Sequence, residues 1–165
     1  MISVSFVIPL HNEEKNILPL IKRIEDYASK KKWNYEIVPV DDRSTDNTSL
    51  LLKKISLKNN KLHPVFRKKS MEEKGNTMGK ALLEGTLKSK GEYIILFDAD
   101  LTNVNHNEID NVLDKIIKKP EVDMVIFSRK TSRLITKLNR FDLIYSGERV
   151  LRKKDLLEVF KTKPT

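Results

Sequence analysis

Two carboxylates separated by one small residue, Asp98-Ala99-Asp100, follow directly on the apolar run Tyr93-Ile-Ile-Leu-Phe97. If that run is a strand, its alternation turns Asp98 and Asp100 to the same side. Paired carboxylates repel each other unless a cation lies between them. Mg2+ or Mn2+ suits the pair, because such ions take oxygen ligands from one or two carboxylates and complete their shell with substrate phosphates. A solvated turn after a core strand is the plain alternative, since two acids at this spacing often arise by chance.

Three further clusters carry chemistry. Val40-Asp41-Asp42-Arg43-Ser44-Thr45-Asp46 offers adjacent acids that can accept hydrogen bonds from a base N–H and from ribose hydroxyls. The same residues serve equally well as a helix cap and turn. Gly75-Asn-Thr-Met-Gly79-Lys80 could bring backbone amides and an ammonium to a phosphate, or be a loop and helix start. It is not a P-loop, which needs four residues between the glycines and a Ser or Thr after the Lys, where Ala81 stands. Tyr145-Ser146-Gly147-Glu148-Arg149, followed by Arg152-Lys153-Lys154, sets an acid among bases. It could contact an acceptor phosphate or a leaving diphosphate, or form a solvated basic face. His11 is a metal ligand or a polar loop residue; no second His lies at helical spacing from it.

The elements that must position these clusters alternate in kind. Val4–Pro9, Tyr35–Val40, Leu62–Phe66, Tyr93–Phe97 and Met124–Phe127 are short runs, mostly apolar on both faces, as buried parallel strands are. Ile17, Leu20, Ile21, Ile24 and Ala28 form one helical stripe, and Ile109, Val112, Leu113, Ile116 and Ile117 another. Ser44 or Asp46 is expected to cap a helix through Leu50–Ile55. Lys119-Pro120 is expected to end the Ile109 helix, and Gly91 to close a helix over Gly75–Lys90 as its C′ residue. The alternation predicts a single α/β domain: an open, mainly parallel sheet with helices on both faces and ligands beyond the carboxyl ends of the strands. His11-Asn12-Glu13, Asp41-Asp42 and Asp98-Ala99-Asp100 all fall at such ends.

Composition narrows the classes. The chain of 165 residues fits one domain and carries a net charge of +9, which favours an anionic partner. From Arg129 onward, 11 basic residues oppose four acidic ones, so this stretch holds +7 of the total. Without cysteine, disulfides and thiolate metal sites are excluded. No run approaches the ~18 apolar residues of a membrane span. The N-terminus lacks the basic region and cleavage site of a signal peptide. The expectation is a cytoplasmic protein, at most peripheral at a membrane face.

Taken in order, the clusters resemble the family 2-like glycosyltransferases of the GT-A (Rossmann-like) fold. The matching stretches are Ser5-Phe-Val-Ile-Pro-Leu-His-Asn-Glu13, Val40-Asp-Asp-Arg-Ser-Thr-Asp46, Gly79-Lys-Ala-Leu82, Phe97-Asp-Ala-Asp-Leu101, Phe127-Ser-Arg129 and Ser146-Gly-Glu-Arg149. The resemblance implies that Pro9, Leu10, His11, Asn12, Glu13, Asp41, Asp42 and Ser44 line a nucleotide pocket, with Lys80 near the nucleotide or its phosphates. It makes Asp98-Ala99-Asp100 the DxD motif that binds Mg2+ or Mn2+, with Asp100 the more direct ligand. Arg129, Ser146, Gly147 and Arg149 fall on the sugar and acceptor side, and Glu148 and Asp142 are the candidate bases. Residues 1–128 would then be the donor-binding core, and 129–165 a short basic acceptor-side segment of the same domain. The nearest branch transfers sugar from a UDP- or GDP-linked donor to polyprenyl phosphate, dolichyl phosphate or phosphoglycerate. Only 16 residues separate Arg129 from Ser146, fewer than this branch leads one to expect. A minimal enzyme, a fragment, or a chain completed by a second copy or a partner would each account for that.

Two rivals belong to other classes. Asp98-Ala-Asp-Leu-Thr102 also spells the D-x-D-x-T of aspartyl-phosphate phosphohydrolases, with Asp98 as nucleophile and Asp100 as acid/base. That motif normally opens its domain, whereas three strands precede it here. A basic nucleic-acid-binding or scaffold domain would use the +7 stretch but leaves the strand-end acids unexplained, so no nucleic-acid partner is expected.

Overall fold

The computed structural model of the protein describes residues 1–68, 77–99, 106–119, 121–128 and 145–162. Six strands of the described residues form one sheet: β1 (Ser3–Leu10), β2 (Asn34–Asp41), β3 (Val65–Phe66), β4 (Tyr93–Leu96), β5 (Met124–Ser128) and β6 (Tyr145–Arg152). Among the described residues, five helices accompany them: α1 (Ile17–Ala28), α2 (Thr48–Ser56), α3 (Thr77–Lys88), α4 (His106–Lys118) and α5 (Lys153–Lys161). The sheet order is β3-β2-β1-β4-β6-β5. β1 pairs in parallel with β2 and β4, and β2 with β3; β6 runs antiparallel between β4 and β5.

Side-chain alternation divides the core in two. Phe6 and Ile8 of β1, Ile37 of β2, Ile95 of β4 and Val150 of β6 face α1, α2 and α4. Val7, Val38, Val40, Ile94, Leu96 and Leu151 face α3 and α5, through Ala81 and Leu156. The expected open sheet with helices on both faces is therefore present. Its two ends depart from expectation. β3 keeps only two residues, with Leu62 joined to Ile37 by an isolated bridge. β5 is an edge strand with Met124 and Ile126 exposed, not a buried parallel strand.

The largest addition to the sequence reading is β6, a strand in the stretch read as an anion-contacting cluster or a solvated basic face. Only Val150 and Leu151 give it an apolar pair, so its composition hides a strand paired between two others. Arg152 is not a solvated cation. Its guanidinium donates to the carbonyls of Ile116 (2.6 Å), Val122 (2.9 Å) and Lys119 (3.3 Å), satisfying the C-terminal end of α4. Lys153 Nζ likewise donates to the Ser89 carbonyl at 2.5 Å.

Gly91 also differs from expectation. α3 ends at Lys88, and Gly91 marks a close approach instead of a helix cap. Its N–H donates to Ser5 Oγ at 2.8 Å, and a Cβ there would lie 2.5 Å from the Ser5 nitrogen. That hydroxyl in turn donates to the buried Glu36 at 2.6 Å, and the Lys90 N–H donates to the same Glu36 oxygen. Gly91→Ala must push backbone from backbone. It is expected to cost about 1–3 kcal/mol, read as a lower urea midpoint at unchanged m-value.

Between α1 and α4, the Tyr27 hydroxyl donates to Asp110 at 2.7 Å, and Lys31 pairs with the same carboxylate at 2.5 Å. Burial, then the hydrogen bond and charge of Asp110, hold the Tyr27 hydroxyl protonated well above the ordinary tyrosine range. The unfolded chain ionises near pH ~10 while the folded one does not. This stabilisation is therefore complete below pH ~10 and declines as the pH rises further. Between about pH 9.5 and 11, the wild type should lose stability more steeply than Tyr27→Phe.

Candidate functional site

A cleft of about 720 Å3 opens beyond the carboxyl ends of β1, β2 and β4. That size suits a small-molecule ligand. Its position follows from the connections: β1, β2 and β3 progress in one direction, and β4 then returns to the other side of β1. Such a reversal opens a crevice between the diverging loops. Pro9, Leu10, His11 and Glu13 supply the floor and one wall, followed by Asp42 and Arg43. Met78, Ala81 and Leu82 of α3 form the opposite wall, and Leu96, Phe97, Asp98, Ala99 and Arg149 close the far side.

Strand alternation separates the two adjacent acids. Asp41 falls on the α2 side, is 2% exposed, and does not line the cleft. Its Oδ1 accepts the Ser44 N–H at 3.0 Å, and its Oδ2 accepts the Ser49 hydroxyl. Asp42 turns to the α3 side and into the cleft wall. Its Oδ1 accepts from Arg43 Nε at 2.8 Å and from Arg67 Nη1 at 2.7 Å. Arg67 Nε also donates to Glu84 of α3 at 2.9 Å. Sequence reasoning missed Arg67. The signal that would have found it is the one used for the acids, the first charged residue after an apolar strand.

Asn12 and Ser44 lie in loops expected to line the same pocket, yet here they hold those loops to each other. Asn12 adopts φ 58°, in the left-handed region that Asn tolerates better than most residues. Its N–H donates to Ser44 Oγ at 2.9 Å, and its Oδ1 accepts the Thr45 N–H at 2.7 Å. Glu13 N–H donates to the Thr48 hydroxyl at 2.9 Å, and Asn47 donates twice to Glu14 at 3.0 Å. His11 Nδ1 donates to the Asp42 carbonyl at 2.8 Å, which fixes the tautomer and makes the ring a tie between β1 and β2. Asp46 accepts the N–H groups of Thr48 and Glu14 at 2.9 and 3.1 Å. Desolvation pushes its carboxyl up, but the hydrogen bonds from Thr48 and Glu14 outweigh this and hold it below the ordinary carboxylate range. Asp46, not Ser44, therefore meets the first turn of α2.

At the far side, Asp98 is half-buried one residue beyond Phe97, and Ala99 is 6% exposed. Asp42 and Asp98 stand at the ends of strands separated only by β1, and two strand spacings amount to about 10 Å. Arg149 is half-buried and enters from β6, in register with Leu96. Lys80 is half-buried on α3 but is not among the cleft-lining residues. Asp100, Arg129 and Asp142 lie outside the described residues, and Ser146, Gly147 and Glu148 belong to the backbone of β6. Among the described residues, no three His, Asp or Glu side chains gather as a metal cage, and no helix is long and apolar enough to cross a membrane. The cleft thus joins Pro9, Leu10, His11, Glu13, Asp42, Asp98, Ala99 and Arg149; it does not join Asn12, Asp41, Ser44 or Lys80.

This architecture is that of the GT-A glycosyltransferases. Mannosyl-3-phosphoglycerate synthase from Rubrobacter xylanophilus superposes with a TM-score of 0.70 at 18% identity, over 98% of this chain and 62% of that one. Glucosyl-3-phosphoglycerate synthase from Mycobacterium tuberculosis, in complex with Mn2+, uridine diphosphate and phosphoglyceric acid, gives 0.65 at 22% identity, over 92% and 56%. Residues 5–164 match the model of Glycosyl transferase family 2, and the chain belongs to that family. It is 34% identical over 128 residues to dolichol-phosphate mannosyltransferase of Pyrococcus furiosus, covering 76% of this chain and 33% of the relative. It is 27% identical over 146 residues to dolichyl-phosphate beta-glucosyltransferase ALG5C of Trichomonas vaginalis, covering 84% and 42%. The chain thus spans less than half the length of these curated relatives.

The loop clasp makes separable demands on Asn12. Asn12→Gly keeps the left-handed backbone and removes the side-chain bonds, whereas Asn12→Ala loses both. Asn12→Ala should therefore be the less stable of the two by about 1 kcal/mol in denaturant titrations.

Proposed function

We propose that this chain forms the donor side of a glycosyltransferase that moves a sugar from a UDP- or GDP-linked donor to a phosphate-bearing acceptor, such as polyprenyl or dolichyl phosphate. The observation that carries this reading is the single cleft in which Asp42 and Asp98 face the same space across β1. A nucleoside diphosphate laid across β1 would meet Asp42 at its base and Asp98 at its phosphates. The names of the P. furiosus and T. vaginalis relatives support the lipid-phosphate acceptor, and the named M. tuberculosis complex supports a uridine nucleotide with Mn2+. Reaching a lipid acceptor would bring the cleft mouth to a membrane face. Residues 1–128 would hold the donor, and 129–165 would face the acceptor.

Each role follows from the chemistry of its group. Asp42 accepts hydrogen bonds from base N–H groups, and Pro9, Leu10 and His11 give the base its floor. Arg149 meets the departing diphosphate or the acceptor phosphate with a charge-assisted bond. Asp98 and Asp100 are hard oxygen donors at a strand end, a set that fits Mg2+ or Mn2+ shared with substrate phosphates. What the ion would supply there is neutralisation of charge on the departing diphosphate as the anomeric carbon gains oxocarbenium character. An acceptor phosphate is already ionised at neutral pH, so demand on Glu148 or Asp142 as a base is small.

The test is thermal unfolding with a panel of UDP- and GDP-sugars, with and without Mn2+ or Mg2+. The matching donor with metal, at about 100 times its Kd, should raise the midpoint by about 5–10 °C. Asp100→Ala should remove the metal-dependent part of that shift while the unliganded midpoint stays put. No shift from any donor on the panel would overturn the donor reading.

A further inference from the structure

On the α3 side of the sheet, three charged groups run in series from the helix to the cleft wall. Arg67 lies just beyond β3, where its N–H continues the ladder to the Asp41 carbonyl at 3.0 Å. Its side chain is only 4% exposed, and a guanidinium taken so far out of water needs partners on each side. Nη1 donates to Asp42 Oδ1 at 2.7 Å, and Nε donates to Glu84 Oε1 at 2.9 Å. Glu84 comes within reach because the next residue, Gly85, lets α3 press onto the sheet. A Cβ there would lie 2.6 Å from Val40 Cγ2 and 2.7 Å from Val7 Cγ1. Arg43 donates to the same Asp42 oxygen from the exposed side.

We propose that Arg67, seated by Glu84, is a positioning residue that holds the Asp42 carboxylate ionised and oriented on the cleft wall, and so sets which nucleobase the cleft accepts. This rests on the donor reading above. An ionised carboxylate accepts hydrogen bonds only. It therefore pairs with the ring N–H of uracil or guanine and repels the ring-nitrogen lone pair that cytosine or adenine presents at the corresponding position. A planar guanidinium held by both Asp42 and Glu84 defines the rotamer of Asp42 in a way that a flexible ammonium does not. Arg67 acts through Asp42, so its loss should fall on base recognition and leave diphosphate binding intact.

Calorimetric titration of the full chain with Mn2+ separates these effects, using UDP, GDP, CDP and inorganic pyrophosphate as probes. Wild type should prefer UDP or GDP to CDP. Arg67→Gln should weaken the preferred nucleotide about ten- to hundredfold and narrow its margin over CDP, with pyrophosphate changing less than about twofold. Arg67→Lys should recover part of the loss. Glu84→Gln, at a residue whose side chain is 44% exposed, tests the relay without emptying a buried site and should cost about three- to tenfold. Equal losses for nucleotide and pyrophosphate would make Arg67 merely structural and overturn the proposal. So would wild-type affinity in both Arg67→Lys and Glu84→Gln. If Asp42→Asn keeps full affinity for the preferred nucleotide, base reading at Asp42 falls, and the relay with it. If Asp42→Asn weakens binding while the Arg67 and Glu84 variants do not, the relay alone falls.

Discussion

Everything at the cleft depends on β1 being buried on both faces between two parallel neighbours. Val4, Phe6, Val7 and Ile8 are all essentially inaccessible, so the strand can shift neither its register nor its facing without moving both halves of the core. With β1 fixed, the ends of β2 and β4 are fixed beside it by eight and four paired residues respectively. Parity then decides which side chain faces α3 and the cleft, and which faces α2. Asp41 and Asp42 differ in environment for this reason alone.

The same constraint explains why many polar residues next to the cleft do not open onto it. Two loops leaving adjacent parallel strands end with several unpaired backbone N–H groups, and these must find acceptors. Asn12, Ser44, Asp46 and Thr48 supply them across the β1–β2 gap, and Asp41 supplies one within its own loop. Asp42, Asp98 and Arg149, whose positions continue the α3-side parity of their strands, line the cleft, whereas Asp41 does not. The division of labour is geometric and does not follow residue type, since Asp appears in both groups.

This bears on how much was legible in the sequence. Apolar runs with sharp polar ends revealed β1, β2 and β4 and placed the cleft at their carboxyl ends, because burial on both faces leaves a strong compositional mark. β6 left almost none. It is a strand of mixed charge whose Arg149 faces the cleft and whose Arg152 serves the end of α4, so its residues resemble a solvated loop. Gly91 misled for a related reason: a glycine needed for close approach to Ser5 cannot be told from one needed to end a helix. Among the acids, spacing could bring Asp41 and Asp42 to a strand end, but only the register of β2 separates the one that ties down Ser44 and Ser49 from the one that lines the cleft.

Charge shows the same dependence on placement. A chain of net charge +9 would be expected to meet an anion with a basic surface. The described cleft instead presents Glu13, Asp42 and Asp98 against Arg43 and Arg149. Part of the positive excess is spent inside the fold, where Arg152 and Lys153 satisfy carbonyls and Arg67 balances two acids. Acids near the base position can discriminate donors from acceptors of hydrogen bonds, which a uniformly basic pocket cannot do. Acids near the phosphate position become favourable only with a divalent cation between them and the ligand. Under the proposed donor reading, the carboxylates on the cleft wall would make binding conditional on the right base and on the ion, whereas a purely cationic cleft would bind any phosphate without that condition.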